Sequence, residues 1–326
     1  MLKASRHISC VGLFVLAVAS SQNRSADIRV NVDLVRVACS VSAHNVPVSG
    51  LQRSDFILRE DAAPQEIKYL WQESELPLTI GLIVDVSGSQ LSLLHKHRHT
   101  VSHFLKQVLR PEDQAMIVSV GGQVRLDADL TSSMDSLESA IEEVGSRGSQ
   151  APLLGDPCRG GRMRGRARHR YPCGGTVLWN AIYYAAKLKM QQVTGRKALL
   201  VLSDGLDTGS DHHLNDTIEA AQAAGVPVYT IKFVDPILLP FAAVAALKRD
   251  MQKLSAETGG ASFGMLHGNL DLVFSQIEGE LRNQYVLAYT PSNGAHDGTY
   301  RKLEISVSGR PALQVRARKG YRAATE

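Results

Sequence analysis

The chain has little with which to cross a membrane. Beyond its first residues, no segment approaches the roughly 18 uninterrupted apolar residues of a spanning helix. No transmembrane segment is therefore expected in the mature protein. Cysteine is scarce, with four in 326 residues, and no CxxC pair occurs, which excludes the common structural zinc arrangements. Gly88-Ser89 lacks the G-x-S-x-G elbow of a serine hydrolase. Internal repeats are missing too, and the one biased tract is rich in arginine. What remains is globular: with 44% hydrophobic residues the chain can bury a full core, and its length suggests about two domains.

Lys3, Arg6 and His7 precede a short apolar run, Ile8 to Ala19, that closes on Ala17-Val18-Ala19. That is the layout of an export signal, residues 1–19, and places the mature protein in the periplasm or outside the cell. Cys10 lies before most of the apolar run, badly placed to carry a lipid, and should leave with the signal. Of the other cysteines, Cys39 sits in the strand-like LVRVACSVS and reads as a small buried hydrophobe. Cys158 and Cys173 bracket the arginine tract, and a disulfide between them is expected outside the cytoplasm. It would close a loop of about 15 residues and contribute about 3 kcal/mol.

The formal charge of +4 is unevenly spread. Arg147, Arg159, Arg162, Arg164, Arg166, Arg168 and Arg170 face a single acid, Asp156, for a local balance of +6, which leaves the rest of the chain near −2.

Residues 20–77 alternate in short runs broken by turns and read as a β-rich segment. From Leu78 to residue 283, strands such as PLTIGLIVDV, KALLVLSDG and VPVYTIKFV alternate with helices such as TVLWNAIYYAAKLKMQQV, NDTIEAAQAAG and LDLVFSQIEGELRNQ. This is the pattern of an α/β, doubly wound, mainly parallel sheet, interrupted by an insertion at 146–173. Gly145, Gly195, Gly225 and Gly259 supply helix stops. Residues 284–326 return to strands. They are expected to pack with 20–77 in a flanking β domain, since each segment alone is too small for a core.

Ligands of open α/β sheets collect at the carboxyl ends of the strands. There LIVDVSGSQ places Asp85, Ser87 and Ser89 two residues apart, so one extended turn can aim all three side chains together. Thr176, which begins a helix in GGTVLWNAI, and Asp204, ending KALLVLSDG, arrive at equivalent edges. Two carboxylates and three hydroxyls suit a hard divalent cation, Mg²⁺ or else Mn²⁺ or Ca²⁺.

These residues resemble the von Willebrand factor type A (VWFA) domain. DVSGS is similar to its Asp-x-Ser-x-Ser signature, GGT before a helix to its second metal loop, and LVLSDGLD to its third. The flanks GLQRSDFILREDAAPQEI and LRNQYVLAYTP with RKGY resemble the VWFA-related family of Acidobacteria, so the likeness spans nearly all of the mature chain. Its long arginine-rich insertion departs from that pattern. The resemblance implies a metal-ion-dependent adhesion site at Asp85, Ser87, Ser89, Thr176 and Asp204, where an acidic group of a partner completes the metal's coordination. Structural capping of helices by the same Asp and Ser is the plainer alternative.

No enzyme is expected. The three metal loops contain no histidine to act as base. His95, His99 and His103 repeat at i, i+4, opposite Leu94, Val101 and Leu105, and read as a solvent-facing surface or an adventitious zinc or nickel site. His97 flanks the core side. The insertion offers a second function: Arg159, Arg162, Arg164, Arg166, Arg168 and Arg170 would attract a polyanion such as nucleic acid, an anionic glycan, phospholipid headgroups or an acidic protein. Only Tyr171 is available there for base stacking. The leading expectation is an exported protein-binding module that presents a cation to a carboxylate on a protein or surface; the alternative is a polyanion binder acting through the loop.

Overall fold

Alternation of apolar and polar residues makes the first strands, β1 (Val35–Ala43), β2 (Val46–Pro47), β3 (Phe56–Glu60), β4 (Ala63–Gln65) and β5 (Ile67–Gln72). The computed structural model describes residues 34–72, 76–87, 90–145, 176–232, 241–264 and 270–325, with the side chains of 91–97 and 241–244 excepted. All of these belong to one unit, Asp33–Glu326. The export signal, the arginine tract, Cys158 and Cys173 lie outside the described residues.

Next come β6 (Leu78–Asp85), α1 (Leu91–Val108), β7 (Gln114–Val120), β8 (Val124–Thr131) and α2 (Met134–Glu143). After the insertion follow α3 (Leu178–Tyr184), β9 (Arg196–Ser203), α4 (Leu214–Ala224), β10 (Val228–Lys232), α5 (Phe241–Thr258), β11 (Ser262–Gly264) and α6 (Leu270–Arg282). The chain closes with β12 (Tyr285–Tyr289), β13 (Tyr300–Val307), β14 (Gln314–Ala317) and β15 (Gly320–Arg322).

The central sheet runs β11-β10-β9-β6-β7-β8. Every residue of β6 is buried, because helices cover both faces and leave no side to be polar. On one face Ile80, Leu82 and Val84 pack with Val101 and Phe104 of α1 and Phe274 and Ile277 of α6. On the other, Ile83 joins Leu178 and Ile182 of α3, Ile218 of α4 and Met251 of α5. The strands are parallel except β8, which pairs antiparallel with β7. No crossover helix separates these two strands, so the chain simply turns back at the edge.

A long single helix after Thr176 was expected, and the structure differs. Thr176 and Val177 precede α3, held by the Val177 N–H donating to the Gly121 carbonyl. Beyond Tyr184 the helix widens to a π turn over Ala185–Lys189 and tightens to a 3-10 turn at Met190–Gln192. Glycine ends α4 as expected: Gly225 adopts φ 62° at its C-terminus, the left-handed conformation that a Cβ opposes.

Two further sheets, β14-β1-β12-β5 with β2 on β1, and β15-β13-β3-β4, join strands from both ends of the chain. Val37, Cys39, Leu58, Leu287 and Leu303 fill the space between them. Cys39 is a free thiol there, and burial pushes its pKa up. Glu60 is also buried and accepts hydrogen bonds from the hydroxyls of Tyr289 and Tyr321. Tyr289→Phe removes one donor from a buried carboxylate, and a loss of about 2 kcal/mol in urea unfolding is expected. Tyr321→Phe should cost less, because Tyr321 is only half-buried and water can replace its hydroxyl.

Candidate functional site

The site is assembled from strand ends. β6 and β9 run parallel with Val84 opposite Leu202, so Asp85 arrives beside Ser203. The Ser203 hydroxyl donates to Asp85 Oδ2 at 2.6 Å, and the Ser87 N–H donates to Asp85 Oδ1 at 2.9 Å. The second bond folds the chain back on its own aspartate and turns the loop at the sheet edge. Asp85 also lies in register with Val120 of β7, whose carbonyl accepts from the Val86 N–H at 2.8 Å.

Asp204 follows Ser203 directly. Its Oδ1 accepts from the Leu206 N–H at 2.9 Å, and its Oδ2 from the Gln90 side-chain amide at 3.0 Å. Gln90, held by its N–H to the Ser87 carbonyl at 2.8 Å, thus ties the first loop to the third. Thr176 is tied in turn to the third loop. Its N–H donates to Thr208 Oγ1 and its carbonyl accepts from the Thr208 N–H, both at 2.9 Å. Asp207 of the same loop caps α3 through the Trp179 N–H at 3.2 Å.

Asp85, Ser87, Thr176 and Asp204 therefore share one edge of the sheet, while Ser89 lies outside the described residues. Asp85, Asp204 and Thr176 are only 2–3% exposed. Burial pushes the Asp85 carboxyl from its ordinary 3.8 up to about 6; hydrogen bonds from Ser203 and Ser87 oppose the rise, and the charge of Asp204 adds to it. Two carboxylates drawn together out of water fit a divalent cation, which would relieve both burial and repulsion. Among the described residues no group of three or more His, Cys, Asp or Glu side chains is placed to hold a metal. The oxygen set here contains two acids, and hydroxyls make up the remainder.

Ser203, Gln90 and Thr208 were not legible as site residues. Each acts through a partner on another loop, and only the LSDG context hinted at Ser203. The row also continues to Lys232, which is in register with Ser203 and buried. Burial, and then Lys248, lower its amine to about 8. On α1, His99 and His103 face solvent opposite the buried Val101 and Leu105; the side chains of His95 and His97 are outside the description.

No family model matches the chain, and no curated protein does. Among solved structures it is similar to BatB from Bacteroides thetaiotaomicron, at 16% identity and a TM-score of 0.43 over 61% of this chain and 97% of that one. It is also similar to the vWF domain of the type V pili tip protein Mfa5 from Porphyromonas gingivalis, at 13% identity and 0.45, covering 62% and 94%. A third likeness is to proximal thread matrix protein 1 of the mussel byssus with a zinc-occupied MIDAS motif, at 11% and 0.46, covering 68% and 49%. At such levels any function must be read from this chain's own residues. Among the described residues no helix is long and apolar enough to cross a membrane.

Proposed function

We propose that this chain is an exported binding module of VWFA type, with a doubly wound core and a flanking β domain, that presents a divalent cation to a carboxylate of another protein or surface. The observation that carries this is the buried pair Asp85 and Asp204 at the carboxyl edge, with Asp85 pushed to about 6. Asp85, Ser87, Ser89, Thr176 and Asp204 would hold Mg²⁺, or Mn²⁺ or Ca²⁺. Bound there, the cation supplies a positive centre that two carboxylates and neutral hydroxyls leave open to one more acid. Ser203 and Gln90 fix the two aspartates, and Thr208 fixes the Thr176 backbone, so the donors are arranged before the cation arrives.

Calorimetric titration with Mg²⁺ tests the site. One binding event is expected for the wild type, none for Asp85→Asn, and a weaker one for Thr176→Ala. Equal affinity in wild type and Asp85→Asn would remove the metal from the proposal. The arginine tract supports a second reading, a polyanion binder. Capture of partners from the native cell envelope separates the two: metal-bridged partners are lost to EDTA, whereas loop-held partners are lost steeply with salt.

A further inference from the structure

Lys232, the last residue of β10, stands on the same sheet edge as the two aspartates, opposite Ser203 of the parallel β9. Along β10 it alternates with Val228, which packs in the cluster that also holds Ile83 of β6 and Leu199 and Val201 of β9. Asp85 and Ser203 continue that same alternation on their own strands, so Asp85, Ser203 and Lys232 form one row across three strands on one face of the sheet. The 2.6 Å bond from Ser203 to Asp85 runs along this row. Beyond Lys232 the row ends on Gly264 of β11, where a Cβ would meet nothing within 4 Å. That end of the row is open.

Lys232 is only 5% exposed, an unusual position for a lysine. Among the described residues its amine makes no hydrogen bond or ion pair. Lys197, at the other end of β9, shows the usual alternative: its Nζ donates to the carbonyls of Met190 and Val193, both at 2.8 Å. The charge that Lys232 feels is of its own sign, from Lys248 of α5. Burial, and then Lys248, lower the amine to about 8, which still leaves it protonated at neutral pH. A buried ammonium without a partner costs free energy that an anion seated beside it recovers.

We propose that Lys232 receives a second carboxylate of the acidic partner, so that this edge selects an extended protein segment with two acids two residues apart, Asp-x-Asp in form, over a lone acid; for the first acid this rests on the cation proposed at Asp85 and Asp204. Lys232 lies one strand from Ser203 and two from Asp85, about 5 and about 10 Å along the row. Acids two residues apart on an extended segment point to one side about 7 Å apart, between those values. Two positive centres in one row thus match two negative charges on one face of the ligand.

The test is titration of the whole protein at pH 7 with two end-capped fluorescent peptides, Gly-Asp-Gly-Asp-Gly and Gly-Asp-Gly-Asn-Gly, in Mg²⁺ and again in EDTA. In Mg²⁺ the two-acid peptide should bind about tenfold more tightly than the one-acid peptide. Lys232→Met should reduce that preference to about twofold, the statistical share of two acids at one cation, without changing the one-acid affinity. Lys232→Arg should keep the preference, and so should Lys68→Gln, at an exposed lysine on β5. If Lys232→Met does not fold, the ratio of the two peptides on wild type still decides. Equal binding of both peptides by wild type in Mg²⁺ overturns the role of Lys232 and leaves the cation in place, as does a tenfold preference that survives Lys232→Met. A two-acid preference that persists in EDTA and is lost in Lys232→Met supports the lysine and removes the cation. Absence of binding by either peptide at millimolar concentrations overturns this proposal, and calorimetry with Mg²⁺ then reports on the cation site by itself.

Discussion

Asp85→Asn should stabilise the metal-free protein at neutral pH, by about 3 kcal/mol at most. The carboxyl titrates near 6 in the folded chain against 3.8 ordinarily, and each unit of difference corresponds to about 1.4 kcal/mol. The sign follows from proton uptake. Between those values the folded state binds more protons than the unfolded one, so stability is fullest below about pH 4 and falls as pH rises through about 6. Asparagine keeps the shape without the charge, and Ser203 can turn its hydroxyl to accept from the new amide. Urea unfolding in EDTA at pH 4.5 and 7.5 should show the two proteins converging at the lower pH and the variant ahead at the higher. In saturating Mg²⁺ the order should reverse, since only the wild type gains from the cation. A variant less stable than wild type at both pH values would show that Asp85 supports the fold, and that its burial carries no such cost.

Gly260→Ala should cost at least about 3 kcal/mol. Gly260 sits between α5 and β11, where a Cβ would overlap the backbone carbonyl of Val228. That backbone cannot retreat, because Val228 is paired with Leu199 of β9 and its N–H donates to Thr258 Oγ1 at 3.0 Å. Gly81→Ala should be milder. Its Cβ would meet the side-chain ends of Leu199, Met116 and Met190, which can shift. Gly264→Ala, with nothing within 4 Å, should be neutral. Thermal unfolding of the three variants checks the order. A Gly260→Ala protein as stable as Gly264→Ala would mean that β10 and β11 are not held as closely as described.

By itself the sequence determined the elements of the central sheet and the residue types at its edge. An unbroken apolar run such as LIV in β6, or the spacing of Val101, Phe104, Leu105 and Val108 in α1, expresses a periodicity that neighbouring residues impose on one another. Asp85 and Asp204 were legible for the same reason, since each ends a recognisable strand. The tertiary structure alone decided which strands lie side by side. The antiparallel return of β8, the pairing of β1 with β12 and β14, and the Ser203 and Gln90 bonds to the aspartates all follow from strand order. Strand order is chosen by the burial of whole faces, and spacing along the chain does not encode it.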